Sequence, residues 1–209
     1  MMTMMTTMRT VMRCVVRTTA LMIVIGGLVL AAQEQKAPQP VTNQDLLAGL
    51  KNPGRWLIYQ GDYNGQRHSP LKQLTPQNVA RLVPQWVFQT DVPGLPGRGL
   101  ETTPLLVDGV LYVTGNNNQA WALDARTARP IWRYRRELPP NTSASVCCGP
   151  VNRGFGILGD SLYMATLDAH LVALDRNSGK VIWDVAVEHD PPTGYAMTLA
   201  PLVVKNKVI

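Results

Sequence analysis

The chain has 209 residues, of which 45% are hydrophobic and 16% charged, with 17 glycines and 16 prolines. This composition excludes a disordered, collagen-like or coiled-coil chain, and the length suffices for a core of one or two domains. The formal net charge is +6, but only 6% of the residues are aromatic, and three arginines lie near the N-terminus, at Arg9, Arg13 and Arg17. The remaining positive charge is spread thinly, which argues against a nucleic-acid partner.

Residues 1–32 have the pattern of an export signal. Three arginines precede an apolar run from Ala20 to Ala32, and polar residues follow it. The run is about 13 residues long, which is typical of a signal peptide and short for a membrane span of about 20 residues. We therefore expect a protein that works in the periplasm, with an uncleaved anchor as the alternative, so membrane association stays open.

The sequence contains two adjacent cysteines, Cys147 and Cys148. In an oxidising compartment such a pair can form a disulfide. Neighbouring Cα atoms lie about 3.8 Å apart across a trans peptide, whereas ordinary disulfides span about 4.4–6.8 Å. A bond between the two therefore requires a distorted peptide, and such strain persists where function uses it. Two free thiols in a loop are the alternative.

A repeat of 51 residues organises the second half of the chain. Asp124 and Trp132 recur as Asp175 and Trp183, and Trp86 adds an earlier tryptophan. A period near 50 that consists of short alternating strands and Asp/Gly turns is typical of a β-propeller. We expect each tryptophan to pack between neighbouring blades.

The repeat divides the chain into a signal peptide at 1–32, an N-terminal extension at 33–83 and the first blades at 84–209. Two short helices are predicted in the extension, one after Thr42 and one from Thr75. Residues 33–209 hold room for about three blades, whereas propellers close with about four to eight. Because the chain ends in an apparent strand, we expect an all-β fold that is the incomplete N-terminal part of a larger propeller.

Three segments resemble one enzyme family. They are the run at 56–71 (WLIYQGDYNGQRHSPL), the run at 100–105 (LETTPL) and the run at 147–154 (CCGPVNRG). In this order they are similar to the pyrroloquinoline quinone (PQQ)-dependent alcohol dehydrogenases, the methanol/ethanol-type quinoproteins. The likeness runs from about Leu46 to Ile209. It implies an eight-bladed propeller with PQQ in the central funnel.

The resemblance also implies roles for particular residues. Glu101, Arg153 and Thr198 are expected to contact PQQ, and a disulfide between Cys147 and Cys148 is expected to lie against the quinone ring. PQQ is a flat tricarboxylate, so a cationic donor, a hydroxyl donor and a rigid platform suit it. A glutamate beside a polyanion must be either protonated or directed at a donor group.

The family's metal ligands and catalytic aspartate correspond to positions after Ile209, so we expect neither in this chain. By resemblance, a calcium or lanthanide ion polarises the quinone and the aspartate takes the alcohol proton. The alcohol becomes an aldehyde, and electrons leave to a cytochrome c. A C-terminal haem domain stays open.

Two other functions compete with this interpretation. One is a PQQ-dependent dehydrogenase of sugars or polyols, and the other is a non-enzymatic propeller scaffold of the outer-membrane-assembly type. The combination of Glu101, the cysteine pair and Arg153 favours the alcohol enzyme. The three histidines show no metal-ligand spacing. A GxGxxG match at 154–159 precedes a predicted strand instead of a helix, which excludes a dinucleotide site.

Overall fold

The structure is a computed structural model. It describes residues 38–90, 99–140, 142, 146, 149–188 and 195–209. The predicted signal peptide therefore lies outside the described residues. Within the described ranges, no helix is long and apolar enough to cross a membrane.

The first predicted helix is present as α1, Asn43–Ala48, and a 3-10 helix over Gly49–Lys51 continues it. The Thr42 hydroxyl accepts a hydrogen bond from the Asp45 N–H at 3.1 Å. In return, the Asp45 carboxylate accepts the Thr42 N–H at 2.8 Å. This reciprocal capping box fixes where the helix begins.

The second predicted helix is reduced to a turn and a short 3-10 helix, Val79–Arg81. The Thr75 carbonyl accepts a hydrogen bond from the Val79 N–H at 2.9 Å. Val79, Leu82 and Val83 are all exposed. A short helix that buries no apolar face is marginal in water, which explains why this one extends no further.

The first sheet has four antiparallel strands in sequential order, each paired with the next. They are β1 Leu105–Val107, β2 Val110–Gly115, β3 Gln119–Asp124 and β4 Pro130–Arg135. Between β1 and β2, Asp108 and Gly109 adopt φ values of 50° and 83°. Two consecutive positive φ angles suit a two-residue hairpin, so the Asp-Gly pair sets the register.

The second sheet repeats this arrangement. Its strands are β5 Gly156–Leu158, β6 Ser161–Ala165, β7 His170–Asp175 and β8 Val181–Ala186. A two-stranded hairpin follows, with β9 Val203–Val204 and β10 Lys207–Val208. The all-β propeller architecture is confirmed. The described residues form two complete sheets and this hairpin, which is consistent with the incomplete propeller expected, and the residues at 84–90 around Trp86 form no strand.

The two sheets pack face to face, and Trp132 lies between them. Trp132 in β4 is 8% exposed, and its indole N–H donates to the Arg176 carbonyl in the turn of the next sheet at 2.7 Å. The Trp86 indole N–H donates in the same way to the Ala125 carbonyl at 3.2 Å, and Ala125 lies 51 residues before Arg176. The predicted role of Trp132 between blades is confirmed.

The strand directions place several connections at one end of the sheets. Because neighbouring strands are antiparallel, the chain before β1 and β5 lies at the same end as the β2–β3 and β6–β7 turns. The β4–β5 connection, which includes the cysteine pair, also begins and finishes at this end. We call it the entry end.

Candidate functional site

Glu101, Arg153 and Thr198 each precede the first strand of a structural unit. Glu101 comes before β1, Arg153 before β5 and Thr198 before β9. The segments that enter the first strands of successive blades lie side by side at the same end of a propeller. The fold therefore brings together three residues that are distant in sequence.

The Arg153 guanidinium joins the three residues. Its Nη2 atom lies 2.8 Å from Glu101 Oε2, and its Nη1 atom donates to Thr198 Oγ1 at 2.5 Å. The side chains of Arg153 and Glu101 are 34% and 45% exposed. Arg153 is thus held in one orientation while part of its surface still faces solvent.

Backbone hydrogen bonds fix the same three segments. The Arg153 N–H donates to the Thr198 carbonyl at 3.0 Å, and the Arg153 carbonyl accepts from the Thr103 N–H at 3.1 Å. Gly154 follows with φ 136°, and a Cβ there would lie 3.0 Å from the Thr103 carbonyl oxygen. A glycine is required at this position because both the backbone angle and the close approach exclude a side chain.

The geometry supplies Glu101 with a donor group, which was one of the two expected alternatives. Its carboxylate is directed at a donor, the Arg153 guanidinium, in a charge-assisted contact. Arg153 and Thr198 present a cation and a hydroxyl at a partly exposed surface, which suits the carboxylate of a flat anionic ligand. The described part of the site therefore fits PQQ.

Sequence analysis missed Asn152, whose side chain fixes the backbone next to Arg153. Asn152 is 1% exposed, its Nδ2 donates to the Ala165 carbonyl at 2.8 Å, and its Oδ1 accepts the Gly154 N–H at 3.1 Å. It therefore connects the residues around Arg153 to β6. The asparagine lies within the recognised Val-Asn-Arg-Gly segment, but only the fold reveals its partners.

Cys147 and Cys148 lie outside the described residues, so their disulfide stays a prediction. The residues after them are described. Gly149 adopts φ 88°, and the Pro150 carbonyl accepts a hydrogen bond from the Asn117 N–H at 2.8 Å. The chain is thus fixed at the entry end at Pro150, three residues before Arg153.

Within the described ranges, no group of three or more His, Cys, Asp or Glu side chains is placed to hold a metal ion. His170 instead pairs with Asp184, with Nδ1 and Oδ1 2.6 Å apart. Asp184 also binds Arg136, which contacts Asp168 as well. This group ties the end of β4 to the second sheet.

The two carboxylates of this group, Asp168 and Asp184, have lowered pKa values. Burial alone would raise the pKa of Asp168, but its hydrogen bonds with Arg136 and Thr166 outweigh that effect and hold the pKa below its usual value of 3.8. The pKa of Asp184 is lowered in the same way, against desolvation, by Arg136 and His170. Both carboxylates are therefore charged at neutral pH.

Comparison with known proteins gives a consistent result. A family model described as "PQQ: glucose/ethanol/alcohol dehydrogenase, beta-propeller domain" matches residues 56–209. The quinoprotein alcohol dehydrogenase PedH of Pseudomonas putida is 37% identical over 190 residues, covering 91% of this chain and 31% of that protein. The 1-butanol dehydrogenase (quinone) of Thauera butanivorans is 40% identical over 185 residues, covering 88% and 29%.

Solved structures show the same likeness. The quinohemoprotein alcohol dehydrogenase ADHIIG of Pseudomonas putida HK5 superposes with a TM-score of 0.76 at 38% identity, covering 82% of this chain and 24% of that chain. A europium-containing methanol dehydrogenase superposes with a TM-score of 0.66 at 32% identity, covering 79% and 28%. The chain thus spans 24–31% of the length of these relatives.

Proposed function

The chain belongs to the PQQ β-propeller family of glucose, ethanol and alcohol dehydrogenases, and from that premise we propose that it forms the first blades of a periplasmic quinoprotein that oxidises alcohols to aldehydes. The observation that carries the proposal is the Arg153 guanidinium held between Glu101 and Thr198 at the entry end. Relatives named as alcohol dehydrogenases at 37–40% identity support the substrate class.

Each residue of this group has a proposed role toward PQQ. Arg153 binds a carboxylate of the cofactor, Thr198 donates its hydroxyl, and Glu101 orients Arg153 while contacting the cofactor beside it. When bound, PQQ supplies an ortho-quinone that takes up the two electrons released when an alcohol becomes an aldehyde. We assign Glu101, Arg153 and Thr198 to binding and orienting the cofactor.

We propose that Cys147 and Cys148 are joined to each other and present a rigid surface to the quinone ring. Mass spectrometry of the non-reduced, alkylated holoprotein should find neither thiol labelled. Because a ring of adjacent residues is strained, mild reductant should open it more readily than an ordinary structural disulfide. Two alkylated cysteines in active holoprotein would refute the pairing.

The remaining parts of the reaction belong to the complete protein. We propose that a calcium or lanthanide ion and the catalytic base are supplied after Ile209, and that electrons pass singly to a cytochrome c. A signal peptide at 1–32 would deliver the protein to the periplasm. The europium named in one structural relative supports a lanthanide as one of the two candidate metals.

The test is an alcohol-dependent dye-reduction assay on the full-length protein loaded with PQQ and either calcium or a lanthanide. Turnover with primary alcohols and none with glucose or polyols is the expected result, and the opposite preference would reassign the substrate. Residues 33–209 alone should show no turnover, because they provide only one sector of a funnel that all blades line. Alcohol-dependent turnover by that segment would contradict the proposed location of the chemistry.

A further inference from the structure

Two linked threonine hydroxyls connect the segment around Glu101 to the segment around Arg153. Thr102 Oγ1 and Thr114 Oγ1 lie 2.9 Å apart, and the Thr114 hydroxyl donates to the Asn152 carbonyl at 3.4 Å. Thr114 is fully buried near the end of β2, and Thr102 is partly buried. We call these two side chains the hydroxyl pair. It spans from the residue after Glu101 to the residue before Arg153.

The direction of each hydrogen bond in the hydroxyl pair follows from its acceptors. A carbonyl oxygen only accepts, so the Thr114 hydroxyl donates its one proton to Asn152 and accepts the bond from Thr102. The two hydroxyls therefore donate in the same direction, and consecutive bonds of this kind reinforce one another in a buried environment. The Asn152 side chain extends the connection into β6, since its Nδ2 donates to the Ala165 carbonyl.

The second sheet shows that a blade forms without these hydroxyls. The residue 51 positions after Thr114 is Ala165, which is 1% exposed and has no polar side chain. The residue 51 positions after Thr102 is Arg153 itself. Of the two described four-stranded sheets, only the first therefore has the hydroxyl pair, at the place where its entry segment meets that of the second sheet.

The hydroxyl pair lies beside other bonds between the same two segments. The Thr103 N–H donates to the Arg153 carbonyl, and the Gly154 N–H donates to Asn152 Oδ1. The hydroxyl pair adds a side-chain connection to this backbone connection. It therefore limits how far the backbone at Glu101 can shift relative to the backbone at Arg153, and with it the geometry of their ion pair.

We propose that Thr102 and Thr114 are positioning residues, whose linked hydroxyls hold Arg153 in its PQQ-binding orientation before the cofactor arrives. The inference rests on the proposed PQQ function and deepens it. A group that is already oriented loses less conformational freedom on binding, so the hydroxyl pair increases the affinity without a contact of its own to the cofactor. Its effect on PQQ passes through Arg153.

The test measures the Kd for PQQ of the full-length apoprotein after each hydroxyl is removed. Thr114→Val has nearly the same shape and should raise the Kd about fivefold, the equivalent of about one hydrogen bond. Thr102→Val should do the same, at a less buried position that tolerates the change if the first variant folds poorly. The double variant should bind no more weakly than either single variant, because each change interrupts the same connection. Thr114→Ser keeps the hydroxyl and should bind as the wild type does.

The matched control is Thr166→Val, which removes another fully buried threonine hydroxyl at the entry end. That hydroxyl donates to the His170 carbonyl within its own turn at 3.0 Å, so the Kd should stay unchanged. A second comparison repeats Thr114→Val in the Arg153→Ala background. There it should change the Kd by less than about twofold, because the residue through which it acts is gone.

Amide hydrogen exchange of the apoprotein separates positioning from general stability. Thr114→Val should exchange faster than the wild type at Thr103 and Gly154, and equally in the strands of both sheets. An unchanged Kd in Thr114→Val, an equal rise in Thr166→Val or a full effect in the Arg153→Ala background would overturn the inference. Faster exchange throughout both sheets would also overturn it, since the hydroxyls would then be merely structural. Failure of the wild type itself to bind PQQ would instead refute the proposed function and this inference with it.

Discussion

Trp132 and Trp183 occupy the same position in two consecutive sheets, but their surroundings differ. Each lies near a tyrosine of its own sheet, with centroid distances of 6.1 Å to Tyr112 and 5.8 Å to Tyr163. Trp132 is 8% exposed, because the turn of the second sheet covers it, whereas Trp183 is 37% exposed. The burial of a repeat tryptophan therefore depends on the following sheet and not on its own.

The largest expected effect is a direct test of this difference. Trp132→Ala should lower the free energy of unfolding of the chain by about 3–5 kcal/mol, since it opens the packed interface between the sheets. Trp183→Ala should cost only about 1 kcal/mol, because half-exposed side chains contribute less. Urea denaturation of the 209-residue chain measures both. Equal losses would show that each tryptophan acts within its own sheet.

The contact beneath Trp132 offers a sharper test. Gly179 has φ 70°, and a Cβ added there would lie 2.7 Å from the indole ring. Gly179→Ala should therefore lower the free energy of unfolding by about 2–3 kcal/mol, through overpacking and backbone strain. In the double variant Gly179→Ala/Trp132→Ala, the Gly179→Ala change should cost less free energy of unfolding than it does beside Trp132. Fully additive losses in denaturation experiments would contradict the contact between residue 179 and the indole ring.

A polar connection between the sheets should contribute less, and in a pH-dependent way. Asp168→Asn should reduce the free energy of unfolding by about 1.5–3 kcal/mol at pH 7, because Arg136 loses one of its two charged partners and keeps Asp184. The pKa of Asp168 is lowered in the folded state, so this stabilisation is complete above about pH 4, its unfolded pKa, and disappears as the pH falls through the folded pKa.

The wild type and Asp168→Asn should therefore approach equal stability at low pH. Other charged and titratable groups that face this position are Asp184, His170 and Tyr134, and they are the same in both proteins. Glu137→Gln is the matched control, since Glu137 is 92% exposed in a loose pair with Arg135. A difference between wild type and Asp168→Asn that does not change with pH would exclude the ion pair as its source.

The smallest expected effect is a gain. Ala128 is the counterpart of Gly179 in the first sheet, with φ 59°. Ala128→Gly should raise the free energy of unfolding by about 0.5–1 kcal/mol, because glycine tolerates a left-handed angle without strain. Differential scanning calorimetry measures the change, and a lower melting temperature would show that the alanine methyl contributes more to packing than its angle costs.

Much of the fold was predictable because its determinants are local. The 51-residue recurrence of Asp124 and Trp132 indicated the strands and turns of both sheets and the packing of Trp132, and Thr42 indicated the start of α1. The length of the second helix was harder to predict. The pattern from Thr75 onward includes helix start signals, but a sequence does not show whether another element will bury the helix. Likewise, Trp86 predicts a strand only if other strands lie beside it.

The residues of the site were predictable from the sequence, but their arrangement in space was not. The recognised motifs named Glu101, Arg153 and Thr198, but nothing in the sequence places Arg153 between the other two. Asn152 escaped notice, because an asparagine's importance depends on which groups surround it after folding. Long-range contacts of this kind arise from the stacking of blades.

The central claim is that Arg153, held by Glu101 and Thr198, binds PQQ, and titration of the full-length apoprotein with PQQ tests it most directly. Arg153→Ala should weaken PQQ affinity by about one to two decades while the protein still folds, since charge-assisted hydrogen bonds contribute about 1.5–3 kcal/mol. Arg55→Ala removes a comparable ion pair with Asp108, at the β1–β2 turn away from the entry end, and should leave the affinity unchanged. Equal affinity in wild type and Arg153→Ala would contradict the claim.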